Sequence, residues 1–183
     1  DKRSRVLVPL CGKSSDMVWL LKRGHTVVGA ELSSIAVESF FTENRFPFSE
    51  QVQGDFRVFT GEGEADGLSI VVGDFFELNP QVVGRFDALY DRAAIVALPH
   101  RKRLVYASVL SQLMQDNAQG MMLTFDYPQR ERNGPPFSVT YRDVQDYFEP
   151  IWSTELLDRI DLTPDNRWQL SRLEEPVIQL VRE

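Results

Sequence analysis

Short continuous apolar runs alternate with stretches of helical period along this chain. Val6, Leu7, Val8 and Leu10 form the first run, as expected of a strand buried on both faces. Ser14-Ser15-Asp16 follow as helix-starting residues, and the helix they open ends at Gly24 after Lys22 and Arg23, whose charge suits a helix C-terminus. Thr26 to Ala30 is the second strand, with Glu31 at its end. Ser33 to Asn44 places Ile35, Val37, Phe40 and Phe41 near helical spacing, with Ser33 as its cap. Arg45 to Gly67 reads as an insertion, with a short extra strand at Phe56 to Phe59 and a surface turn from Gly61 to Gly67. Core strands follow at Leu68 to Val72, Phe86 to Tyr90 and Met121 to Phe125. Before the last of these, Arg101 to Gln115 sets Leu104, Val105, Val109, Leu110, Leu113 and Met114 on one helical face. Gln129 to Pro136 is a polar loop and Tyr141 to Phe148 a short helix; Ser153 to Ile160 and Val177 to Val181 are late strands of a closing antiparallel hairpin. Strand-helix alternation of this kind predicts an α/β fold, a mostly parallel sheet with helices on both faces.

The 183 residues, 43% of them hydrophobic, fit one domain over residues 1–183. A net charge of -7 argues against a general nucleic-acid or anionic-membrane binder, since both rely on a basic surface, and favours a small-molecule partner. One cysteine, Cys11, forms no intrachain disulfide, and two separated histidines make no metal-binding cluster. A reducing, cytoplasmic setting is expected, with no membrane partner and a monomer as the default state.

The chemistry gathers where the parallel strands end, because that edge of an open α/β sheet is where ligands bind. The loop Pro9-Leu10-Cys11-Gly12-Lys13-Ser14-Ser15 lacks both the GxGxxG dinucleotide pattern and the Walker spacing, which weakens a nicotinamide or ATP reading. Gly12 either lets the backbone approach a cofactor without a pyrophosphate, such as S-adenosylmethionine, or simply makes a tight turn. Glu31, about 20 residues beyond the loop, suits ribose hydroxyls. Asp74 accepts from an adenine amino group while Phe75 packs on the ring, or else Asp74 caps the following turn. Arg92 serves an electron-rich substrate, or pairs structurally with Asp91 or Glu77. Cys11 reads as a packing residue rather than a nucleophile, and His25 and His100 as structural or exposed.

The runs VLVPLCGKSSDMVWLLKRGHTVVGAELS, GRFDALYDRAAIVALP and GPPFSV, in this order, resemble the thiopurine S-methyltransferase family, including bacterial members associated with tellurite and selenite methylation. The resemblance covers essentially the whole chain. It implies a Rossmann-like S-adenosylmethionine-dependent methyltransferase with a seven-stranded sheet, acting on the sulfur of thiopurines and related thiols or on selenium and tellurium species. The cofactor set it implies is Leu10, Cys11, Gly12, Glu31, Leu32, Asp74, Phe75 and Arg92, with no metal. Arg92 is also the implied catalytic residue, and Arg92, Pro135, Pro136 and Phe137 the implied acceptor pocket. The family carries a tryptophan-containing segment before the first strand that covers the site, and this chain is expected to lack it. A catalytically weak S-adenosylmethionine-binding domain is the alternative reading.

Overall fold

Residues 3–183 are described in a computed structural model. Among the described residues, nine strands and five α-helices fall into two compact units that divide between Ala88 and Leu89.

In the first unit the strands are β1 (Arg5–Val8), β2 (Thr26–Glu31), β3 (Phe48–Gln53), β4 (Phe56–Gly61) and β5 (Leu68–Val72), laid side by side in the order β3-β4-β5-β2-β1. β1 runs parallel to β2 and β2 parallel to β5, in the registers Leu7 opposite Val28 and Gly29 opposite Ile70. Val6, Leu7, Val8, Val27, Val28, Ile70 and Val71 are all buried, which is why these strands read as unbroken apolar runs. α1 (Asp16–Lys22) ends where Gly24 turns to a φ of +89°. α2 (Ser34–Glu43) is capped by Ser33, whose side chain accepts from Ala36 N. It buries Val37, Phe40 and Phe41, with the Phe41 ring stacked 6.5 Å from that of Phe59 on β4, while Ile35 falls off that stripe and is 76% exposed. β3 was not legible as a strand: every one of its residues is exposed, so no buried alternation marks it. Its pairing with β4, and β4's with β5, is antiparallel. α3 (Pro80–Val83) is a single turn capped by Asn79.

β6 (Phe86–Arg92) carries the chain across the boundary. The second unit holds α4 (His100–Leu113), β7 (Met114–Leu123), α5 (Tyr141–Phe148), β8 (Trp152–Asp161) and β9 (Glu174–Arg182), with β9 antiparallel to both β7 and β8. The expected closing hairpin is therefore β8–β9. Against the strands read from the sequence, β4 is the short extra strand expected at Phe56 to Phe59 and β3 is an addition.

Two helix-level expectations change. α4 passes into β7 at Met114 with no intervening glycine or proline to signal the end, so the expected helix to Gln115 overran. Its buried stripe is Arg103, Tyr106, Ala107, Leu110 and Leu113, while Leu104 and Val105 are 62% and 53% exposed. Val109, Leu110, Leu113 and Met114 of the expected face are buried; what hydropathy missed is Arg103 and Tyr106, whose polar ends are satisfied inside: Arg103 Nε donates to Leu98 O and Tyr106 Oη to Asp91.

Candidate functional site

In the first unit the β1–α1 loop is drawn onto the end of β2. Cys11 N donates to Ala30 O at 3.0 Å, continuing the strand pairing past Val8. Leu10 at φ +46° and Gly12 at φ +51° then turn the chain. A side chain at Gly12 would meet nothing within 4 Å, so open space lies beside this backbone. Gly29 has the opposite reason for being glycine: a Cβ there would lie 2.7 Å from Cys11 Sγ and 3.0 Å from Met17 Sδ. The loop sits low on the sheet because β2 has no side chain beneath it.

Glu31 gathers the surrounding donors. Its Oε2 accepts from Gly12 N at 2.8 Å, and its Oε1 from Leu32 N and Ser33 N, each at 2.9 Å. A carboxylate offers about four acceptor positions, so one on Oε2 is left for a ligand hydroxyl. Leu32, beside it, is 74% exposed. Lys13 points away from the strand edge and pairs with Glu43 of α2 at 2.7 Å. Burial first, then the Glu31 charge, pushes the Cys11 thiol well above the usual cysteine range, so little thiolate exists there at neutral pH.

At the end of β5, Asp74 is exposed and caps the short turn Phe75–Glu77, its Oδ1 accepting from Phe76 N at 2.9 Å. The capping reading of Asp74 is thus realised by one oxygen. Phe75 is buried at 6% exposure and Phe76 half-buried, the rings meeting edge to face at 6.0 Å.

In the second unit Arg92 stands exposed at the end of β6. The turn that carries it is fixed by its neighbour. Asp91, fully buried, accepts from Ala94 N at 3.0 Å and Ile95 N at 3.3 Å through Oδ1, and from Tyr106 Oη at 2.7 Å through Oδ2. Burial pushes its carboxyl up to about 6, against the pull of those three donors. The sequence showed only a charged residue at a strand end; the signal available was a carboxylate two residues before a small residue, Ala93, that takes a φ of +71°. Sequence reasoning also missed Glu175 on β9, half-buried, whose carboxyl burial raises while the Arg92 charge pulls it down.

Pro135, Pro136 and Phe137 form one segment. Phe137 N donates to Val96 O at 2.6 Å, Tyr127 Oη donates to Pro136 O at 2.6 Å, and the Arg103 guanidinium lies 5.9 Å from the Phe137 ring centre. The structure thus collects Leu10, Cys11, Gly12, Glu31 and Leu32 around one strand end, with Asp74 and Phe75 at the end of β5. In the second unit it joins Pro135–Phe137 to the Val96 turn that follows Arg92. Among the described residues no group of three or more His, Cys, Asp or Glu forms a metal-binding cluster.

Residues 1–183 match the model of a family described as thiopurine S-methyltransferase. A protein of Pseudomonas fluorescens (strain Pf0-1), named thiopurine S-methyltransferase, is 43% identical over 97% of this chain and 82% of its own length. Among solved structures, a SAM-dependent methyltransferase of Methanosarcina mazei aligns with a TM-score of 0.71 at 14% identity, over 100% of this chain and 93% of that one. The 1,6-didemethyltoxoflavin-N1-methyltransferase of Burkholderia thailandensis, solved with S-adenosylhomocysteine, aligns at 0.66 and 13% identity, over 99% of this chain and 72% of that one. These likenesses show a shared fold. The family match and the 43% identity together show that the chain belongs to the thiopurine S-methyltransferase family.

Proposed function

We propose that this protein transfers the methyl group of S-adenosylmethionine to the sulfur of thiopurines and related aromatic or heterocyclic thiols. The observation that carries the reading is the Glu31 cradle. Its carboxylate, with one acceptor position left on Oε2, closes a loop that has the wrong glycines for a pyrophosphate but open space at Gly12. Those features suit a ribose diol on a cofactor without phosphates, and the family membership agrees.

S-Adenosylmethionine, when bound, supplies an electrophilic methyl carbon on a sulfonium. Glu31 holds the ribose hydroxyls, Leu10, Cys11, Gly12 and Leu32 contact the cofactor, and Asp74 with Phe75 serves the adenine. Transfer is an in-line displacement, so the protein's main task is alignment. The cofactor would supply the methyl group and leave as S-adenosylhomocysteine, and the acceptor thiol would release its proton to solvent. No strong base is required for aromatic thiols, and the Arg92 charge favours the thiolate and helps hold the methionine end of the cofactor. Pro135, Pro136 and Phe137 line the acceptor pocket. Selenium and tellurium species, larger and softer nucleophiles than sulfur, are further acceptors under the same chemistry.

Competition among acceptors tests this. With S-adenosylmethionine saturating, 6-mercaptopurine and thiophenol are expected to be methylated in preference to aliphatic thiols of equal concentration, with selenite and tellurite assayed beside them. Equal rates for aliphatic and aromatic thiols would remove the aromatic acceptor from the reading.

A further inference from the structure

A proline has no N–H, so the Pro135-Pro136 pair cannot anchor itself by donating hydrogen bonds; its carbonyls must be held by donors from elsewhere. Both are held. Tyr127 Oη donates to Pro136 O at 2.6 Å, and an Arg132 guanidinium nitrogen donates to Pro135 O at 3.3 Å. Gln129 ties these groups to one another. Its amide nitrogen donates to Tyr127 Oη at 3.3 Å and to Arg132 O, and its amide oxygen accepts from Ser138 N at 2.9 Å. Ser138 Oγ in turn accepts from Tyr127 N at 3.1 Å.

The clasp is backed by the loop between β8 and β9. Tyr127 is 2% exposed and seated with Leu170 and Leu173. Ser171 donates through N and Oγ to the Glu131 carboxylate at 2.8 and 2.7 Å, and Arg132 lies 4.8 Å over the Trp168 ring. If packing were all this position had to supply, phenylalanine would fill the Leu170–Leu173 pocket without a buried hydroxyl to satisfy. The hydroxyl is spent on the Pro136 carbonyl. The segment it holds is the one assigned above to the methyl acceptor.

We propose that Tyr127 and Gln129 are positioning residues for the methyl acceptor: they hold Pro135–Phe137 in one conformation and so set acceptor affinity without touching the cofactor. The inference rests on the assignment of that segment to the acceptor pocket. Releasing the clasp lets the segment sample other conformations, and apparent acceptor affinity falls by the fraction still competent.

The test compares the parent chain with Tyr127→Phe and Gln129→Ala. Steady-state methylation of 6-mercaptopurine is measured beside calorimetric binding of S-adenosylhomocysteine. Losing two side-chain hydrogen bonds in Tyr127→Phe and three in Gln129→Ala is expected to raise the acceptor KM about 5- to 10-fold, with kcat within about twofold and S-adenosylhomocysteine affinity unchanged. A merely structural role would reduce the amount of folded enzyme and leave KM alone. Gln129 is exposed, so its variant does not hinge on folding. An unchanged acceptor KM in Gln129→Ala overturns the proposal, and so does an equal loss of S-adenosylhomocysteine affinity in either variant. A parent chain that binds S-adenosylhomocysteine yet methylates no thiol refutes the functional reading itself, and this proposal with it; methylation with unmoved KM refutes the positioning role alone.

Discussion

In the proposed site Glu31 serves architecture and ligand with the same carboxylate, and melts and calorimetry read the two roles separately. Glu31→Ala leaves the Gly12 N–H without its acceptor at a partly buried position, so it should cost about 1–2 kcal/mol of stability as well as weaken S-adenosylmethionine binding. Glu31→Gln keeps a single acceptor oxygen, so its NH2 must face either Gly12 N or the Leu32 and Ser33 N–H groups; it should lose stability as well, while calorimetry shows affinity reduced roughly tenfold. Unchanged affinity in both variants removes Glu31 from the site. Asp91 gives a pH signature. Its carboxyl rises from 3.8 to about 6 in the folded protein, chiefly through burial, so its neutral form is the favoured one there. That contribution to stability is complete below the unfolded value and is lost as pH climbs through the folded one. In Asp91→Asn, the side-chain oxygen still accepts from Ala94 and Ile95 while its NH2 donates to Tyr106 Oη. The variant should therefore gain on the parent by up to about 3 kcal/mol between pH 4 and pH 7, and denaturant melts showing a pH-independent gap would contradict this. Arg92→Ala should lower kcat by more than it lowers cofactor affinity, a split that calorimetry and steady-state rates resolve directly.

At the scale of elements, the seat of the β1–α1 loop on β2 is the contact most open to test. Gly29→Ala drives a methyl group against Cys11 Sγ and Met17 Sδ, and overpacking of this kind costs about 1–3 kcal/mol. Cys11→Ala removes the nearer sulfur, so in a double-mutant cycle it should recover part of that loss; additive losses would mean that the loop does not rest on Gly29. The elements easiest to read in the sequence were those whose burial is complete. β1, β2 and β5 announce themselves as apolar runs, Ser33 and Gly24 mark helix ends by their own chemistry, and α5 falls on Tyr141–Phe148 as its pattern predicts. What stayed hidden had no hydrophobic contrast. β3 is exposed throughout, and the inner face of α4 is built partly from Arg103 and Tyr106. The candidate residues themselves were legible, Gly12 and Glu31 from their spacing. The groups that hold them were not, because Tyr106 is 15 residues from Asp91 and Gln129 nine from Ser138, and sequence carries no record of such pairings.

For the whole molecule, charge and topology both favour a small-molecule enzyme. A net charge of -7 is the opposite of the basic excess on which a general nucleic-acid binder relies, and among the described residues no helix is long and apolar enough to cross a membrane. Family membership then turns a generic cofactor fold towards S-adenosylmethionine-dependent methyl transfer, to which the thiol acceptor is the proposed addition. The most direct test is to incubate the chain with S-adenosylmethionine labelled in its methyl group and with 6-mercaptopurine, then locate the label by mass spectrometry. The account predicts label on the purine sulfur and one S-adenosylhomocysteine for each methyl transferred. Label retained on S-adenosylmethionine, with the cofactor bound and the thiol in excess, would contradict it.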